Sequence, residues 1–169
     1  MLSSAKRAAY CGLFTAAAMI FSYLETLIPL HSVIPVPGFK LGLANICILL
    51  ALYMLGDFDA FFVSIARICL TAILFGTPVA FLYSLGGGLL SYAFLLFAKH
   101  ILKDRVTYIG ASVGSAAMHN VGQICVAALI FGDGAIFWYL EWLLPVSVVT
   151  GFITGAVAGY FGKAVEKRL

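Results

Sequence analysis

From Ala8 to Leu24 the chain carries no charged side chain, and apolar runs of helical length return along the rest of the sequence with only short breaks between them. No soluble core absorbs so much apolar surface. Of the whole chain 63% is hydrophobic and only 10% charged, with a mean hydropathy of +1.09, whereas roughly a quarter of an ordinary soluble domain is charged. Inside hydrocarbon every backbone polar group needs an internal partner, so runs this long read as membrane-spanning α-helices. At roughly 20 residues per span, 169 residues hold about six. We therefore expect an all-α integral membrane bundle of six transmembrane helices, a single transmembrane domain over residues 1–169. Lys6 and Arg7 precede the first run as they would in a signal peptide, but the run exceeds a typical h-region and further spans follow, so it reads as a retained helix.

The spans are expected at Ala8 to Leu27, Leu41 to Leu55, Phe58 to Phe75, Pro78 to Ala98, Val106 to Phe131 and Ile136 to Phe161. Six crossings put both termini on one side. Lys6, Arg7, Lys99, Lys103, Arg105, Lys163, Lys167 and Arg168 fall on that side and Lys40 alone on the other, so the positive-inside rule makes both termini cytoplasmic. The segment from Glu25 to Asn45, ETLIPLHSVIPVPGFKLGLAN, is then external. Its prolines stiffen it, and Gly42 allows close backbone approach at the start of the next helix. That next span measures only about 22 Å at the helical rise, less than a bilayer core, so the segment is expected to dip inward against a pocket.

Arg67 stands midway along the third span, where a charge cannot easily reach water and normally faces a partner or a wet cavity. It reads either as a site residue or as half of a structural ion pair with Glu25 or Glu141. In the fifth span Ser112, Ser115, His119 and Gln123 share a helical face, with Asn120 at its edge. His119, Asn120 and Gln123 together suggest substrate recognition, the alternative being interhelical hydrogen bonds. Glu25, Lys40 and Asn45 approach from the first loop. Lys40 beside a glycine-containing helix start would favour an anionic group or would reach for lipid headgroups. Glu141 opens the sixth span among Trp138, Tyr139 and Trp142, which read as an interfacial aromatic belt. Asp57 and Asp59 are expected to cap the third span.

Small residues recur every fourth position at Ala8, Gly12 and Ala16, and at Gly151, Gly155 and Gly159. Such stripes let helices approach closely. The later one reads as packing within the bundle, the earlier one as packing or as a docking face for a partner. Cys11, Cys47, Cys69 and Cys125 are isolated in apolar runs and read as structural thiols, with no metal site expected. The net charge of +3 sits at helix ends and gives no reason to expect nucleic acid. There is no GxxxxGK[ST] sequence, so nucleotide energy would come from another chain.

Four motifs, PGFKLGLANI from Pro37, RICLTAILFGT from Arg67, YSLGGGLLS from Tyr83 and GSAAMHNVGQ from Gly114, resemble the Gx transporter family, which also carries the name heptaprenyl diphosphate synthase component I. In size and layout the chain is similar to the substrate-binding S components of energy-coupling factor transporters. That resemblance implies a non-enzymatic component of the bacterial inner (plasma) membrane, one that binds a small amphipathic metabolite outside the cell. It has no cofactor of its own, while a transmembrane coupling subunit docks on Ala8, Gly12 and Ala16 and ATPase subunits use ATP. The ligand would be vitamin-, flavin- or isoprenoid/quinone-precursor-like. The rival readings are a noncatalytic membrane partner or assembly subunit in a prenyl diphosphate, quinone or membrane redox pathway, and a transporter that works alone. A catalytic prenyl synthase is disfavoured: its Mg²⁺-bound diphosphates need aspartate-rich clusters, and this chain has no DDxxD arrangement.

Overall fold

The computed structural model describes residues 3–27 and 42–166. The PVPG segment and Lys40 lie outside the described residues. Six α-helices follow in order: α1 (Ser4–Leu27), α2 (Asn45–Met54), α3 (Asp57–Phe75), α4 (Pro78–Phe97), α5 (Tyr108–Phe131) and α6 (Leu140–Glu166). A π-helical turn (Ala98–Leu102) and a 3-10 turn (Lys103–Arg105) extend α4, and a second 3-10 turn (Gly134–Tyr139) leads into α6. Five of these helices are long and apolar enough to cross a membrane. The exception is α2, whose 10 residues cover only about 15 Å.

Local chemistry accounts for the ends. Thr77 accepts the Ala80 N–H at 3.1 Å with Pro78 at the first helical position, and Thr107 accepts the Gly110 N–H at 3.2 Å to open α5. Gly132 closes α5 in the left-handed conformation at φ 67°, where a side chain would be strained. Asp57 and Asp59 do not cap α3: its N-cap is Gly56, with no side-chain bond. Asp59 instead meets Arg7 of α1 at 2.8 Å, and Asp57 meets Lys99 and His100 at 2.6 Å each. Helix ends carrying cations converge here, and a charged partner holds a carboxylate more strongly than a backbone N–H does.

These pairs also fix direction. The starts of α1 and α3 lie at one end of the bundle with the finish of α4, while Gly151 and Gly155 of α6 lie against Val113 and Ile109 of α5, so α5 and α6 are antiparallel. Between helices in lipid the hydrophobic effect offers little, and close packing of small residues takes over. At the α4–α5 crossing a Cβ on Gly122 would stand 2.4 Å from the Gly86 carbonyl oxygen, and one on Gly87 2.8 Å from that of His119. Gly114 likewise makes room for the Phe94 ring, 2.2 Å from where its Cβ would be. The outside is apolar, with Phe58, Ile73 and Leu129 exposed, as suits a surface solvated by lipid chains.

The two small-residue stripes meet different fates. That of α6 packs on α5, as expected. On α1, Ala8, Gly12 and Ala16 are exposed, and nothing lies within 4 Å of a Cβ built on Gly12.

Candidate ligand-binding cavity

The position of α2 builds the site. Asn45, its first residue, donates through Nδ2 to Ser115 Oγ of α5, and Ser91 Oγ of α4 donates to the same oxygen at 3.2 Å. Eight residues further along α4, Lys99 Nζ donates to Leu52 O near the other end of α2 at 2.9 Å. The short helix thus spans the depth from the Ser91 level to the basic end, roughly 12 Å, and begins inside the bundle.

Around that beginning lies a cavity lined by Glu25 of α1, Asn45 and Ile48 of α2, and Ser64 and Arg67 of α3. Gly42 and Ala44 before α2, Gly88, Ser91 and Tyr92 of α4, Ala116, His119 and Asn120 of α5, and Thr150 of α6 complete the described wall. Its enclosed volume is about 20 Å³, enough for roughly one water. Glu25 caps the start of α2, its Oε1 accepting the Leu43 N–H. A carboxylate there satisfies an otherwise orphaned donor and complements the helix dipole.

Arg67 is 6% exposed. Its Nη1 reaches Ser22 Oγ at a long 3.4 Å, its Nε has no partner, and no carboxylate oxygen stands within 4 Å among the described residues. The structural ion pair considered from the sequence is therefore not formed as a contact, although Glu25 shares the cavity wall with Arg67. Asn120, 4% exposed, donates through Nδ2 to Ser147 Oγ at 2.8 Å and leaves its Oδ1 unmet. Leaving such a buried group unsatisfied costs about 1–3 kcal/mol, more when charged. One wall thus offers an unmet cationic donor, another an unmet acceptor.

The sequence-expected set is only partly assembled. Glu25, Asn45, Arg67, His119 and Asn120 line the cavity. Gln123 is buried but packs against Gly87 of α4, its Cγ 2.9 Å from where a Cβ would be. Glu141 is exposed at the start of α6, off the described wall. Ser112 is spent on Thr154 at 2.8 Å, joining α5 to α6. Sequence reasoning missed Ser22, Ser64, Ser91 and Thr150, single hydroxyls in apolar helices whose one signal is a shared depth. Among the described residues no His, Cys, Asp or Glu cluster is placed to hold a metal.

Ala8, Gly12 and Ala16 line an outward-facing groove between α1 and α3, with Phe62 and Ala66 opposite, of about 740 Å³.

Fold and cavity together define an all-α, multi-pass membrane protein with a closed polar chamber at the start of a half-length helix. The chain belongs to the heptaprenyl diphosphate synthase component I family, whose profile matches residues 14–161. No curated protein and no solved structure matches it.

Proposed function

We propose that this chain is the substrate-binding membrane component of an energy-coupling-factor-type uptake system, holding a small amphipathic metabolite in the chamber at the start of α2. The observation that carries this reading is the pair of buried, unmet polar groups on the same chamber, Arg67 Nε and Asn120 Oδ1. A fold that needed only internal stability has no use for a guanidinium N–H left unmet at the middle of a membrane helix. A ligand with an anionic or acceptor group for Arg67 and a donor for Asn120 meets both needs, and vitamin-, flavin- and isoprenoid- or quinone-precursor-like molecules have that chemistry. The chamber is small, so entry requires the wall to open. Both termini face the cytoplasm of a bacterial cell, and the groove of Ala8, Gly12 and Ala16 seats the coupling subunit that ATPase subunits drive. The open face above Gly12 supports this assignment.

The family description favours a second reading, in which the chain is a noncatalytic membrane partner of a prenyl diphosphate synthase. Two measurements on protein purified in mild detergent separate them. Small molecules retained by the wild type and absent from Asn120→Leu, identified by mass spectrometry, support uptake. A folded protein that retains only lipid and brings down a soluble prenyl synthase, with no ATPase or coupling subunit, sinks the transport proposal.

A further inference from the structure

At the basic end of the bundle, away from the chamber, a second concavity of about 980 Å³ opens between α2, α5 and α6 and the end of α4. Tyr53, Lys99, His100, Lys103, Tyr108 and Tyr160 give it character, and no carboxylate is among the described residues lining it. Asp57 engages Lys99 and His100 from outside the groove at 2.6 Å each, whereas no ion pair among the described residues involves Lys103. Lys103 therefore stands in the groove with no described carboxylate paired to it, beside the N-terminus of α5, whose dipole adds to its charge.

Two further observations give this charge a purpose. Lys103 has φ 48° and ψ −127° and is the sole non-glycine residue with positive φ among those described. Glycine would adopt that backbone without strain, so a lysine kept there points to work for its side chain. Next to the charged end, Gly155, Ala156 and Gly159 of α6 form a shallow apolar trough that continues towards exposed Tyr160 and Phe161. A cationic head pocket joined to an apolar trough, at the end of membrane helices, matches an amphiphile with its head at the interface.

We infer that this groove binds a lipid of net negative charge whose headgroup carries a phosphate or diphosphate, the head against Lys99, His100 and Lys103 and the hydrocarbon chain along Gly155, Ala156 and Gly159. Its described lining shares no residue with the chamber, so it stands or falls apart from the uptake proposal.

The test uses the purified full chain in nonionic detergent, with thermal shift and native mass spectrometry as readouts. The probes are phosphatidylglycerol, farnesyl diphosphate, phosphatidylcholine and inorganic diphosphate. At least one of the first two binds and raises the unfolding temperature, and the tighter of them identifies the source as a glycerophospholipid or a prenyl diphosphate. Phosphatidylcholine and inorganic diphosphate bind much more weakly. Lys103→Gly leaves the unliganded protein at least as stable, because it relieves the backbone, yet weakens binding about fivefold, the contribution of one cation near a membrane surface. Ala156→Phe, at an exposed position, weakens binding by filling the trough with no change in charge. Equal binding of phosphatidylcholine, equal binding of inorganic diphosphate, or unchanged affinity in Lys103→Gly overturns the inference.

Discussion

Replacing Arg67 by methionine separates a binding site from a structural ion pair, because the two roles predict opposite stabilities. An arginine at the centre of a membrane helix costs about 2.5–3.5 kcal/mol on insertion scales, and the one described hydrogen bond of Arg67, to Ser22 at 3.4 Å, returns little of that. The remaining compensation is attraction to Glu25 across the cavity. With no carboxylate oxygen within 4 Å among the described residues, an effective dielectric near 20 limits that attraction to less than about 4 kcal/mol. Cost and compensation nearly cancel. Arg67→Met is expected to lie within about 2 kcal/mol of the parent. The double variant Glu25→Gln/Arg67→Met, in which the introduced amide oxygen still accepts the Leu43 N–H, gains about 1–4 kcal/mol by removing both buried charges. Both variants lose retained ligand. A structural pair would instead cost about 3–5 kcal/mol when Arg67 alone is removed. Thermal unfolding in detergent reads the difference at about 2–4 °C per kcal/mol for a chain of this size. A fall of about 10 °C in Arg67→Met, fully restored in the double variant and with ligand retained throughout, would falsify the site assignment.

Other perturbations probe the scaffold and its surfaces. Gly122→Ala places a methyl 2.4 Å from the Gly86 carbonyl oxygen, backbone that cannot step aside, so it should destabilise by about 1–3 kcal/mol and lower the unfolding temperature; an unchanged midpoint would mean that α4 and α5 do not cross there. Gly12→Leu meets nothing within 4 Å and should leave the unfolding temperature within a few degrees while abolishing copurification of the coupling subunit, and retained copurification would remove α1 from the docking surface. Asn120→Leu breaks its bond to Ser147 at 2.8 Å but also removes the unmet Oδ1, so stability should change by no more than about 1 kcal/mol while ligand retention, measured by mass spectrometry, falls at least tenfold. Ligand retained at the parental level would make Asn120 an interhelical strut.

The long helices were legible because a charge-free run bounded by glycine, proline or charge has few other fates in lipid. The third span, expected at Phe58 to Phe75, is Asp57–Phe75, and the fourth begins at Pro78 as expected. What hydropathy could not show is where the backbone starts to turn. The apolar run from Leu41 to Leu55 yields a helix of only 10 residues, preceded by Gly42 at φ 80°. The depth of Arg67 was readable from its distance to both span ends. Its want of a contacting carboxylate was not, since that depends on how α1 sits against α3. The exposed position of Glu141, off the described wall, was not readable either, because a carboxylate beside two tryptophans reads alike whether it faces the bundle or the membrane surface. Asp57 and Asp59 misled for a related reason: capping is a local rule, and here Arg7, Lys99 and His100, distant in sequence, outcompete it.

The half-length α2 links these separate features. A helix continuing to full depth at this place would fill the bundle and supply its own carbonyls to the N–H groups near Leu43. Because α2 starts at the level of Ser91, those donors are open, and Glu25 supplies an acceptor from α1. Beyond that start the longer helices continue around a space that no described helix fills, and Arg67 and Asn120 line it. Helix starts and unwound backbone inside a membrane are tolerated where they border a cavity. The same shortness ends α2 among the aromatic and basic residues of the opposite end, where the Tyr53 ring packs tilted against that of Tyr108, centroids 4.7 Å apart, and borders the basic groove. One truncated helix thus separates two polar concavities, and a substitution that lengthened α2 toward the Glu25 end should close the chamber while leaving the groove intact.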